Sequence, residues 1–292
     1  MRKQFVKTLE KIVNNDNNVS LLLGDIGVFG FRKILKDYPE RIFNIGIFEQ
    51  ATIGLSAGLS KIGMIPIMHT ISPFMVERGL EQLKVDFGYQ KLNGNFVSIG
   101  NSYDYAALGP THHCPADVSL LSTIPNFQIV TPGNSKELDV LFNSEYNNGS
   151  PTYFRLGEYE HTQELDVKFG KANIVKKGND ATIICTGSML DDVLYATENL
   201  DVTILYYSTI IPFDYKLLQD NFNSKVILCE NFYEGTLNFI VNKALEGECY
   251  SLYNIGMKRE FLKNYGKKEE HDVSLGLDKY SLRKKIEKIC IK

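Results

Sequence analysis

A chain of 292 residues, 43% hydrophobic and 11% aromatic, is long enough for two ordinary cores, at about 150 residues per domain. Lys and Arg number 32 against 35 Asp and Glu; the net charge of -3 gives no general attraction for nucleic acid or an anionic membrane. The longest apolar stretches, such as Ile62 to Met68, are strand-sized, and none approaches a membrane span.

From the N-terminus, Phe5, Leu9, Ile12 and Val13 recur at helical spacing and predict an amphipathic first helix, with no signal peptide visible. A strand from Val19 to Leu23 ends at Gly24-Asp25. Further strands are expected at Arg41 to Ile47, Met64 to Met68, Asn95 to Ile99, Phe127 to Thr131 and Thr152 to Arg155. Helical patterns fill Glu49 to Ile62, Pro73 to Tyr89, Ala116 to Ser122 and Ser135 to Tyr146. Glu158 to Lys168 is polar and aperiodic, as a linker would be. A second alternation follows, with strands at Ala181 to Cys185, Val202 to Tyr206 and Lys225 to Cys229. Its helices are Met189 to Asn199, Asp214 to Asn221 and Gly235 to Leu245, and Thr186-Gly187-Ser188 is a tight turn. The fold class is therefore α/β in two domains, 1–160 and 161–292, each a mostly parallel sheet flanked by helices. Five cysteines, an odd number without a C-x-x-C pair, point to a reduced, cytoplasmic compartment, with Cys185 and Cys229 in the core.

In open parallel sheets ligands sit beyond the carboxyl ends of strands. Asp25, Glu49, His69 and the Tyr103 to His113 loop are all expected there. Gly46-Ile47-Phe48-Glu49-Gln50 puts a lone carboxylate where a strand turns into a helix. A partly desolvated carboxyl there shares a proton near neutrality; a helix-start acid favoured by the macrodipole explains the same residue. Ala51, Gly54, Ala57 and Gly58 predict a helix face packed closely by another element. His112, His113 and Cys114, in direct succession, cannot surround a metal conventionally, so no metal site is expected in this chain.

Gly109-Pro110-Thr111-His112, followed by Ile124-Pro125-Asn126, extends the pattern begun at Gly46, Glu49 and Gln50, with Thr70, Phe74, Arg78 and Gln82 between. This ordered set resembles the pyrimidine-binding and C-terminal domains of transketolase-like, thiamine-diphosphate enzymes over nearly the whole chain. The resemblance implies that Glu49 is the catalytic glutamate on the cofactor's pyrimidine. It places Phe74 on the pyrimidine face, with Asp25 near the cofactor. It implies His112 beside the substrate as a proton carrier, with His113 adjacent, and Arg155 on a substrate phosphate, with Arg2 a second candidate. Three positions depart from the family: Leu108 replaces an Asp that contacts a donor hydroxyl, Gly100 a phosphate-binding His, and Ile71 a stacking aromatic. A modified or deoxygenated sugar, or a 2-keto acid, is the expected substrate.

The family's Gly-Asp-Gly…Asn motif for diphosphate and Mg²⁺ is absent from the sequence. The resemblance thus implies one half of a split transketolase, active only with an N-terminal, diphosphate-binding subunit that binds most of the Mg²⁺, in an α2β2 assembly. Alternatives within the superfamily are a deoxyxylulose-phosphate-synthase-like enzyme and a 2-oxo-acid dehydrogenase E1 beta-like subunit. A non-catalytic regulatory or scaffold subunit is the alternative outside it.

Overall fold

The computed structural model describes residues 1–291. The amphipathic stripe forms helix α1 (Arg2–Asn15), burying Phe5, Leu9, Ile12 and Val13. The first domain's strands are β1 (Val19–Leu23), β2 (Ile42–Asn44), β3 (Ile65–Ile71), β4 (Gly94–Ile99), β5 (Gln128–Val130) and β6 (Pro151–Leu156). They are hydrogen-bonded in the order β5-β6-β4-β3-β1-β2, all parallel. Every residue of β1, β4 and β6 is buried, as expected of strands covered on both faces. The covering helices are α2 (Val28–Asp37), α3 (Glu49–Lys61), α4 (Ser72–Val76), the single turn α5 (Leu80–Gln82), α6 (Asp117–Leu121) and α7 (Ser135–Glu145). Asn134 caps α7 by accepting the Glu137 amide at 2.9 Å, while the Glu137 carboxylate accepts the Gly133 amide at 2.7 Å.

The second domain holds β7 (Asn173–Lys176), β8 (Ala181–Thr186), β9 (Val202–Tyr207), β11 (Lys225–Tyr233) and β12 (Ser251–Met257), in the order β12-β11-β8-β9-β7. Only β7 is antiparallel to its neighbour. Its helices are α8 (Leu190–Ala196), α9 (Tyr215–Asn221), α10 (Asn238–Ala244), α11 (Lys268–Leu275) and α12 (Lys279–Ile291). One further strand, β10 (Thr209–Ile211), leaves this domain and pairs antiparallel with β5, so that the first domain's sheet has seven strands. No helix of the described residues is long and apolar enough to cross a membrane. Cys185 and Cys229 are buried partners in adjacent strands, free of any disulfide.

Three expectations need correction. The strand predicted for Arg41 to Ile47 is only Ile42–Asn44, because Gly46 turns the chain at φ 85° before α3 begins. The helix predicted over Pro73 to Tyr89 breaks into α4, α5 and a π-helical turn, Leu83–Tyr89. Gly79 lies at the break because a Cβ there would come within 2.3 Å of the Ile53 side chain on α3. Finally, the small-residue face of α3 is covered only in part: Ala57 is buried in the core, and the rest of the face is open among the described residues. Ala51, Gly54 and Gly58 are exposed, and a Cβ on Gly58 would meet no atom within 4 Å.

His69 on β3 is fully buried among Phe5 and Phe31, with Nδ1 2.8 Å from the Val97 carbonyl oxygen. Burial pushes its pKa down from 6.5 to about 4. Between those values the unfolded chain takes a proton that the folded chain refuses. The stability His69 contributes is therefore complete above pH 6.5 and is lost as pH falls toward 4, about 3 kcal/mol in all. Urea unfolding at pH 7 and pH 5 should show a smaller loss for His69→Gln than for the wild type; equal losses would assign the acid sensitivity elsewhere.

Candidate active site

The carboxyl ends of β1, β2 and β3 open on one face, and Glu49 is the first residue of α3 there, in the position the helix dipole favours for an anion. Its side chain is buried although Ile47 and Phe48 just before it are 69% and 64% exposed. Oε2 accepts a hydrogen bond from Arg78 Nη1 at 2.6 Å; Oε1 is buried and has no partner among the described residues. An orphaned buried carboxylate oxygen costs about 1–3 kcal/mol.

From Glu49 the site continues as a row of contacts. The Arg78 guanidinium lies 4.4 Å from the centre of the Phe74 ring. Phe74 meets His112 edge to face with centroids 5.2 Å apart, and His112 in turn lies 6.4 Å from Tyr105. His112 is half-buried, and its Nδ1 pairs with the Thr111 hydroxyl at 2.9 Å. On the other side of Glu49, Asp25 sits exposed at φ 57° and exchanges two hydrogen bonds of 3.1 Å with Asn44, whose Oδ1 also accepts the Gly46 amide. Asp25 thereby braces the turn that leads into α3. The fold thus brings Glu49, Phe74 and His112 together, with Asp25 at the margin.

Leu108 is 51% exposed on a short 3-10 turn at the rim. Gly109 follows at φ 73°, with the Tyr265 ring of the second domain packed on it closely enough that a Cβ would meet it at 2.5 Å.

Two residues do not take the expected places. His113 is turned inward and buried, its ring 5.8 Å from His271 of the second domain, where burial pushes its pKa down. Arg155 is fully buried: Nε is 2.7 Å from Asp117 Oδ2, Nη1 3.0 Å from Asn231 Oδ1 and Nη2 2.9 Å from Ser102 Oγ. Its donors are spent on the junction of the two domains, so it offers no open fork to a phosphate. Arg2, by contrast, is exposed at the start of α1 and near enough for its charge to bear on Tyr105.

Arg78 and Tyr105 carry parts of the site that the sequence pattern left without a role. Arg78 stands four residues after Phe74, a spacing that puts both on one side of a helical turn. Tyr105 fills the space beside Gly100, where a Cβ would meet its ring at 2.2 Å. A larger side chain at position 100 would evict it.

Residues 1–162 match the family model "Transketolase, pyrimidine binding domain", and residues 170–279 match "Transketolase, C-terminal domain". An uncharacterized 33.6 kDa protein in the fasciation locus of Rhodococcoides fascians is 34% identical, over 97% of this chain and 92% of that one. A subunit of the apulose-4-phosphate transketolase of Phocaeicola vulgatus is 28% identical, over 97% and 95% respectively. A solved split-gene transketolase, described as an inactive beta4 tetramer, superposes with a TM-score of 0.86 at 23% identity, over 99% of this chain and 97% of that one.

Proposed function

This chain belongs to the transketolase family, and from that premise we propose that it is the pyrimidine-binding subunit of a two-subunit, thiamine-diphosphate-dependent transketolase. The observation that carries the reading is Glu49, a buried carboxylate with one oxygen unpaired, beside Phe74 and His112 on an open face. These residues fit the group. Glu49 Oε1 would meet the pyrimidine ring, Phe74 would supply an apolar face to it, and Asp25 would stand near the edge of its site. When bound, thiamine diphosphate supplies the nucleophilic carbon that takes a two-carbon ketol fragment from one carbonyl compound and gives it to another. Glu49 would hold a hydrogen bond on the pyrimidine. Arg78 fixes the other oxygen and so the orientation of the carboxyl. His112, with Nδ1 engaged by Thr111, is left to exchange protons with substrate oxygens through Nε2.

The second subunit would hold the diphosphate and Mg²⁺, since no Gly-Asp-Gly…Asn motif occurs here. Phe29 at the start of α2, Ile47 and Phe48 before α3, and Leu55 within α3 are exposed apolar side chains that a partner would cover. The bare face of α3 at Gly54 and Gly58 allows the same partner, or a second copy in an α2β2 assembly, to approach closely. Compartment follows from the reduced cysteines, and a cytoplasmic location is the corresponding proposal.

For the substrate, Leu108 offers no hydrogen bond to a donor hydroxyl, Arg155 is committed inside the protein, and Tyr105 occupies the space beside Gly100. A modified ketose fits better than xylulose 5-phosphate. The relative from Phocaeicola vulgatus is named for apulose 4-phosphate, which is in keeping with that reading. Reconstitution tests both parts. The chain alone should bind thiamine diphosphate weakly and transfer nothing, whereas the complex should prefer a modified donor in a panel that includes xylulose 5-phosphate. Tight Mg²⁺-dependent binding by the isolated chain would refute the two-subunit reading. Xylulose 5-phosphate as the best donor would refute the substrate reading.

A further inference from the structure

The row of contacts that starts at Glu49 ends on Tyr105, and the end of the row carries an uncommitted polar group. Arg78 is engaged by Glu49, and His112 Nδ1 by the Thr111 hydroxyl. The Tyr105 side chain is half-buried, and its hydroxyl makes no hydrogen bond among the described residues. The ring is nonetheless firmly seated. Gly100 follows β4 at φ 76°, and a Cβ there would meet two ring carbons at 2.2 Å and 2.4 Å, so only glycine lets the ring lie against this backbone. His112 stands edge-on to the same ring, at 83° with centroids 6.4 Å apart. The Tyr105 carbonyl accepts the Leu108 amide at 2.9 Å, which closes the 3-10 turn Ala106–Leu108. A hydroxyl on a ring fixed in this way loses little freedom when it meets a ligand.

Its chemistry is that of a neutral hydrogen-bond donor. Burial, with the Glu158 charge adding to it, pushes the phenol up to about 12, so the proton stays on at every physiological pH. The charges that act on Tyr105 are mixed, Glu158 and Asp104 against Arg2, and the Arg155 guanidinium is spent on Asp117. The corner therefore offers a hydrogen bond without a net positive charge, which suits an uncharged oxygen better than an anion. On the catalytic reading, His112 faces the oxygens at the reacting carbon. A group one contact further along the row reaches the atoms beyond that carbon.

We propose that Tyr105 is a specificity-determining residue, its O–H bonding a hydroxyl oxygen on the ketose chain beyond the carbonyl that reacts. The proposal rests on the catalytic reading and gives its substrate site a discriminating contact. Steady-state kinetics of the reconstituted complex test it on two compounds: xylulose, and hydroxypyruvate, which has no hydroxylated chain beyond its carbonyl. Tyr105→Phe keeps the ring on Gly100 and removes only the O–H. It should raise KM for xylulose by about fivefold, the loss of one neutral hydrogen bond, with a far smaller change in kcat, while KM for hydroxypyruvate stays in place. Gly100→Ala evicts the ring and should raise the KM for xylulose at least as far. A tyrosine that merely supports the fold would move both compounds together. An active complex that takes no xylulose, a Tyr105→Phe variant whose KM for xylulose is unchanged, or equal rises for both compounds would overturn this proposal and leave the catalytic reading standing. A complex that transfers from no donor of the wider panel would instead overturn the catalytic reading, and this proposal with it.

Discussion

Glu49→Gln should lower turnover of the reconstituted enzyme by at least about a hundredfold, the lower end of what a positioned proton-transfer group contributes. Its fold should survive, because an amide fills the same volume at the start of α3 and can still face Arg78. What the amide lacks is a carboxyl group able to share a proton through Oε1, the oxygen the chain leaves buried and unpaired. The discriminating measurement is hydrogen–deuterium exchange at the reactive carbon of thiamine diphosphate in the complex. Slowed exchange in the variant assigns Glu49 to cofactor activation. Exchange at the wild-type rate would reduce it to a helix-start acid, and the case for this active site would go with it. Arg78→Gln supplies a graded comparison. It frees Oε2 without removing the carboxyl, so it should cost less than Glu49→Gln while leaving cofactor exchange detectable.

Periodicity located the strand ends around this site, whereas the roles expected of Phe74 and His112 were legible only through the family resemblance. Apolar runs such as Val19–Leu23 end where the sheet ends, and the turn residues after them are the ones that reach a ligand. Glu49, Phe74 and His112 each follow such a boundary, and the fold assembles them. Residues whose role depends on distant partners were not legible. Nothing local in Pro151–Leu156 announces that Arg155 will meet Asp117, 38 positions away, and Asn231, 76 positions away. A guanidinium reads as a phosphate ligand until those partners are seen. Strand β10 is hidden for a similar reason: three residues carry no period, and only their register against Ile129 and Val130 makes them part of the first domain's sheet. The break in the predicted Pro73 to Tyr89 helix follows from Ile53 pressing on Gly79, a contact between separate elements. Tyr105 likewise acquires its place only through the space beside Gly100.

Arg155→Ala should destabilise the protein by about 3–5 kcal/mol, the cost of leaving one member of a buried ion pair alone, against total stabilities of roughly 5–15 kcal/mol. Asp117 would lose its 2.7 Å partner while remaining fully buried, with only the Tyr153 hydroxyl at 2.9 Å and the Val118 amide at 2.9 Å to satisfy it. The loss spreads in both directions. Tyr153 also accepts from Ser98 at 2.7 Å, and the guanidinium end joins Ser102 to Asn231 of β11, so one network runs from the first domain's sheet into the second domain. Asp117→Ala should be as damaging, since it strands the guanidinium instead. Denaturant unfolding of both single variants and the double variant gives the coupling directly: a double variant much less destabilised than the sum of the singles is the expected signature of a pair acting as a unit. Kinetics decide between this role and a phosphate-binding one. A structural Arg155 predicts an equal loss on phosphorylated and unphosphorylated donors, following the fraction of folded enzyme. A variant of normal stability whose KM rises only for phosphorylated donors would return Arg155 to the substrate, and would require the guanidinium to leave Asp117 when the partner subunit closes over the site.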